Sequence, residues 1–178
     1  MGKKFTGGYI GQLDDSQKKA LAEMHEKFAD WKEKMASWEG AVFQLDDRFI
    51  LKFLRARDFN VEKASDMLTK HLEFREKWMP HTISLEDPDV KDALLVGTWR
   101  LAGETLKGNP VQLIQVGKFI PKEVESAEQY TRNVLLHREL TLKKLIHDGW
   151  KVETSTVMFD SEFIIYFFMK KSLRCLSF

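Results

Sequence analysis

The residues whose types could do chemistry are spread along this chain, and their spacing denies most of them a partner. His137-Arg138-Glu139 reproduces the H-x-E triplet in which a zinc deaminase sets a metal ligand beside a general acid-base. The cysteine pair that completes such a centre is absent, because Cys175 is the single cysteine among 178 residues. The triplet is therefore expected at a surface position of a long helix. Gly103 and Gly108 keep the gap of a phosphate loop, but Asn109-Pro110 follow where such a loop needs lysine and a hydroxyl residue, so the segment reads as a turn. His25, His71, His81 and His147 have no ligand partner at useful spacing and read as helix-face or loop histidines. With no G-x-S-x-G elbow, H-E-x-x-H pair or Walker loop, no catalysis, metal or cofactor is expected. Cys175 has only Lys171 and Arg174 near it to activate a thiolate.

The elements that must carry these side chains are helical first and mixed later. Asp14-Asp15-Ser16 offers caps for a helix whose apolar positions Leu21, Met24, Phe28, Trp31, Met35 and Trp38 recur in steps of three and four, predicting one continuous face ended at Gly40. Asp46 or Asp47 caps a second helix with Phe49, Ile50, Phe53 and Leu54 on one side and Arg48, Lys52 and Arg55 toward solvent. Beyond the turn Asp58-Phe59-Asn60, Asn60 caps a third, carrying Val61, Ala64, Leu68 and Leu72 and stopping before Pro80. Asp87-Pro88 with Val90, Ala93 and Leu94 predicts a short connecting helix.

From Trp99 onward the pattern changes. Strands are predicted from Trp99 to Ala102 and Val111 to Val116, around the breakers Gly103, Gly108, Asn109 and Pro110. Ser126 and Gln129 form a capping box that opens a long helix ended by Gly149, and a strand follows from Val152 to Asp160. Strand, helix, strand makes a βαβ unit with parallel strands, and the consecutive apolar residues Val157, Met158 and Phe159 predict a strand covered on both faces.

Charge and hydropathy narrow the partners. Twenty-eight basic against twenty-seven acidic residues leave a net charge of +1, which favours neither nucleic acid nor an anionic membrane as a whole, so membrane attraction must come from local patches. The longest apolar run, Phe163 to Met169, is far short of the roughly 20 residues a spanning helix needs. With no apolar leader and one cysteine, a cytoplasmic chain is expected, in transient contact with membranes at most. Met1-Gly2 through Thr6 fits the myristoylation pattern, against the plainer reading of an untethered glycine-rich start.

Three blocks give this outline a family. The hairpin FLRARDFNVEKA with MLTKHLEFREKW closely resembles the N-terminal helical part of the CRAL-TRIO lipid-binding family, GNPVQLIQVGKF its glycine-rich turn and first long strand, and GWKVETSTVMFDSE a later strand. The last block is very similar to the corresponding strand in the animal branch that includes supernatant protein factor. The resemblance covers about Leu13 to Glu162 and implies an α/β fold. It divides the chain into a flexible start (1–12), a helical bundle (13–80), an incomplete lipid-binding α/β layer with the βαβ unit (81–162) and a divergent tail (163–178). It implies non-enzymatic binding or transfer of a hydrophobic lipid of the tocopherol, squalene or phospholipid class.

Strand alternation and the resemblance together give candidate site residues for a cavity with the sheet as one wall. Val157 and Phe159 alternate onto one strand face, with Ser161 next, and are expected to line the pocket or simply to be core. Arg57 matches the first of the two basic residues by which the family's phosphoinositide carriers meet a head group, but the second position here is Asp58, which would repel phosphate. Beyond Glu162 the family pattern of further strands and a mobile covering helix gives way to FIIYFFMKKSLRCLSF, so impaired lipid binding is expected. That tail reads as a substitute element on the sheet or as a membrane-touching end led by Phe163, Phe167 and Phe168. The alternative function is an interaction module acting through its helical bundle, with a protein partner that the residues do not identify.

Overall fold

Asp14 opens the first helix by a reciprocal exchange: the Gln17 N–H donates to Asp14 Oδ1 (2.8 Å) and the Asp14 N–H donates to Gln17 Oε1 (3.1 Å). The computed structural model describes residues 7–88, 90–91, 97–115 and 127–160. The chain divides into two compact units meeting between Met79 and Pro80.

In the first unit, α1 (Asp15–Lys27) is followed directly by α2 (Ala29–Ala36). The single long helix expected from the apolar stripe is thus interrupted at Phe28. Phe28 takes φ −112° and ψ 19°, its N–H donating to Met24 O and its carbonyl accepting from Lys32 N–H, so the break costs little hydrogen bonding while the Phe28 ring is buried. Gly40, with φ 77°, lies in the turn that follows.

α3 (Asp47–Ala56) is capped by Asp46, whose Oδ1 accepts the Phe49 N–H at 2.8 Å. It ends in a Schellman arrangement: Phe59 N–H reaches Leu54 O (2.8 Å), Asp58 N–H reaches Arg55 O (3.4 Å), and Asp58 sits at φ 51° where glycine is usual. α4 (Val61–Trp78) starts at Asn60, whose side chain accepts the Lys63 N–H, and stops at left-handed Met79, before Pro80. Met24, Ile50, Leu51, Leu54, Leu68 and Leu72 are fully buried and tie α1, α3 and α4 into one core. Full burial of each such side chain contributes about 1.5–3 kcal/mol.

The second unit begins with a 3-10 turn, Pro80–Thr82. Pro88, Val90 and Lys91 are helical and Val90 is buried, while Ala93 and Leu94 lie outside the described residues. β1 (Trp99–Glu104) and β2 (Pro110–Gln115) form an antiparallel hairpin with an irregularity between Leu101 and Glu104. α5 (Ala127–His147) leads to β3 (Thr156–Asp160), which pairs parallel to β2 and gives the sheet order β1-β2-β3. Ser126, of the expected capping box, lies outside the described residues.

The last strand is shorter than the sequence suggests, because side chains claim the residues ahead of it. Asn109 Nδ2 donates to the Thr154 carbonyl (3.1 Å) and hydroxyl (2.8 Å), and Gln112 Nε2 donates to Ser155 Oγ (3.1 Å). Pairing starts at Thr156. α5 ends in a second Schellman arrangement, with Gly149 N–H on Ile146 O and Trp150 N–H on Leu145 O, both at 2.9 Å.

Candidate functional site

The register of the sheet decides which face each candidate occupies. Gln112 pairs with Val157 and Ile114 with Phe159, while across the hairpin Trp99 pairs with Ile114 and Leu101 with Gln112. Paired residues share a face, so Trp99, Gln112, Ile114, Val157 and Phe159 lie on one side, and Arg100, Leu113 and Met158 on the other. α5 packs on β1 and β2, and the ring of its His137 stacks on Trp99 with centroids 6.2 Å apart and planes 7° from parallel.

Coverage ends at the last strand. Val157, Met158 and Phe159 are 40%, 54% and 69% exposed. The expectation of a strand covered on both faces does not hold among the described residues, because α5 reaches the β1 and β2 part of its face and β3 is the outer strand. Val157 and Phe159 do extend one common face beyond Ile114. Ser161 lies outside the described residues, as do Met1 to Thr6, Cys175 and the tail 163–178.

At the centre of the covered face sits a residue that sequence reasoning passed over. Gln112 is 1% exposed, its Oε1 accepts the Trp99 indole N–H (3.1 Å), and its Nε2 donates to Ser155 Oγ, so one buried amide joins both outer segments to the middle strand. A buried polar side chain is tolerated when paired in this way. The only signal in the sequence was a glutamine inside an otherwise apolar run.

The H-x-E triplet is also placed differently from the expectation. His137 and Glu139 are both buried and only Arg138 is exposed, because α5 is enclosed on more than one side. Burial lowers the His137 pKa below the usual imidazole value. No group of three or more His, Cys, Asp or Glu side chains that could hold a metal occurs among the described residues.

In the helical unit, Arg57 follows α3, exposed, with its Nη1 donating to the Ala56 carbonyl at 2.8 Å and Asp58 next to it. His71 is not a plain helix-face histidine. Its ring lies 5.5–6.0 Å from the rings of Phe53, Phe49 and Phe43, and the Arg75 guanidinium sits 4.3 Å from the Phe43 centroid. Burial, and then the Arg75 charge, pull the His71 pKa down to about 4. A groove of about 460 Å³ opens between α2 and the following loop, lined by Met35, Trp38, Phe43 and Leu45 with Lys32 and Asp46 at its polar parts.

Comparison with known proteins fits this two-part architecture. Residues 20–70, from within α1 into α4, match the CRAL/TRIO, N-terminal domain family. The chain is 34% identical to Patellin-6 of Arabidopsis thaliana over 120 residues, which is 65% of this chain and 29% of that protein. It is 32% identical to Protein real-time of Aedes aegypti over 117 residues, 65% of this chain and 17% of that protein. The chain therefore spans less than a third of either relative. These matches support a CRAL-TRIO family assignment, with a helical N-terminal region and part of a mixed α/β domain.

Proposed function

We propose that this chain is a non-enzymatic binder or carrier of a hydrophobic lipid, of the tocopherol, squalene or phospholipid class, working in the cytoplasm. The observation that carries the reading is the CRAL/TRIO N-terminal match over residues 20–70 together with an apolar sheet margin, Val157 to Phe159, that the described residues leave open. Apolar burial of about 25 cal/mol per Å² would drive such binding. Val157, Phe159 and Ser161 are proposed to contact the apolar part of the ligand, and Arg57 an acidic head group. The branch proposed is the animal one that includes supernatant protein factor, on the likeness of the GWKVETSTVMFDSE block.

No helix among the described residues is long and apolar enough to cross a membrane. The test is uptake of radiolabelled tocopherol, squalene and phosphatidylcholine by the purified chain. Saturable uptake of one class supports the proposal, and no uptake by a folded sample defeats it.

A second reading is favoured by the groove of about 460 Å³ in the helical unit, which has its own complete core. In that reading the bundle binds a protein partner and no lipid is held. Substituting Trp38→Ala in the groove would then abolish partner capture, in a chain that shows no saturable lipid uptake before or after the substitution.

A further inference from the structure

The β1–β2 turn displays a leucine where none is needed for folding. Leu106 is fully exposed, at 110% of the reference area. Its turn is braced by hydrogen bonds: Thr105 Oγ1 accepts from the Lys107 N–H (3.3 Å) and the Asn109 N–H (3.1 Å), and Asn109 in turn bonds Thr154 ahead of β3. An apolar side chain held outward on a braced turn is suited to burial against something else.

Beside it lies a groove of about 300 Å³ that gathers Lys107, Lys151, Glu104 and Asp148 over Leu145 and Val152. Lys144 Nζ reaches Glu104 Oε1 at 2.5 Å and Asp148 Oδ2 at 3.1 Å, so this lysine offsets one of the two negative charges and Lys107 with Lys151 bring the group to a net +1. Lys107 and Lys151 have no ion pair among the described residues. The surplus charge at this end of the sheet is therefore positive, next to a projecting apolar side chain. A small soluble anion would satisfy the lysines but leave Leu106 in water.

We propose that the β1–β2 turn and the α5–β3 turn form a docking edge for an anionic lipid surface, with Leu106 entering the interface and Lys107 and Lys151 meeting head-group phosphates. This rests on the lipid-carrier reading only in the choice of a bilayer as occupant. A basic residue near an anionic bilayer is worth about fivefold in partitioning. A leucine that leaves water only in part adds roughly fivefold more.

The test is flotation of the full chain with vesicles of phosphatidylcholine alone or with added phosphatidylserine. The unaltered chain is expected to float with the acidic vesicles only, K107Q/K151Q to lower that partitioning about 25-fold, and Leu106→Ser to lower it roughly fivefold. All three positions are exposed, so circular dichroism should be unchanged. No preference of the unaltered chain for acidic vesicles, or variants that float like it, overturns the proposal. Uptake of squalene from cyclodextrin, measured without vesicles, separates the two readings. If it fails while acidic flotation persists, the carrier reading falls and the docking edge stands.

Discussion

Trp99 and Gln112 are joined by a hydrogen bond from the indole Nε1–H to the amide Oε1, 3.1 Å long, inside the sheet that would form one wall of a ligand site. Because the same amide also donates to Ser155 Oγ, its geometry fixes how the hairpin meets the approach to β3. Substitution Gln112→Leu strands the indole N–H and the Ser155 hydroxyl. A loss of about 1–3 kcal/mol is expected in urea unfolding, with the slope of the transition unchanged.

Phe159 offers a direct test of the sheet margin. At 69% exposure it contributes little to folding, so Phe159→Ser should leave the melting temperature nearly unchanged. If it contacts ligand, lipid uptake should fall about tenfold or more, as expected for removing a buried phenyl group. Met158→Ser, on the opposite face, should leave uptake intact. Equal losses in both variants would contradict the face assignment made from the register.

His71 predicts a pH dependence with a defined sign. Its pKa falls from 6.5 to about 4 in the folded chain, mainly through burial and then through Arg75, so the unfolded chain binds the proton more readily. The stabilisation tied to a neutral His71 is intact above the unfolded value and is lost as the pH falls from about 6.5 toward 4. The total is of the order of 3 kcal/mol. Thermal unfolding at several pH values in this window should show a shallower dependence in His71→Phe than in the unaltered chain. Parallel curves would contradict the assignment.

The turn between α3 and α4 makes a stabilising prediction. Asp58 occupies the left-handed position of the Schellman arrangement at φ 51° and is exposed. Asp58→Gly removes that strain, and a gain of about 0.5–1 kcal/mol is expected in chemical unfolding. Loss of stability would show that the carboxylate has a role the backbone geometry does not reveal.

Arg57 is tested by the chemistry of the head group. Arg57→Gln should weaken retention of an acidic phospholipid and leave squalene uptake unaltered. No change for either ligand would assign Arg57 to its bond with the Ala56 carbonyl alone.

The helical hairpin was legible because its punctuation is local. Asp46 and Asn60 each cap the helix that follows them, and the apolar positions Ile50, Leu54, Leu68 and Leu72 fall on the buried sides their spacing implies. The parallel pairing of β2 with β3 was legible for a similar reason, since a strand, a long helix and a strand leave few ways to close.

What escaped the sequence depends on single residues or on neighbours distant along the chain. The apolar stripe from Leu21 to Trp38 keeps its spacing through Phe28, so periodicity gave no warning that one residue leaves the helix there. His137 and Glu139 looked like solvent-facing positions because a polar side chain signals exposure unless its neighbours are known. Trp99, the ring on which His137 stacks, comes from another element. Val157 to Phe159 failed in the opposite direction. An apolar run predicts cover, but cover requires an element above it, and α5 lies over β1 and β2.

The central claim, that this chain holds a hydrophobic lipid, is tested most directly by extracting the chain purified from its native cell with organic solvent and analysing the extract by mass spectrometry. The account predicts one lipid class enriched near equimolar amounts with protein. Only trace lipids in the proportions of the surrounding membrane, from a sample whose helices are intact, would contradict it.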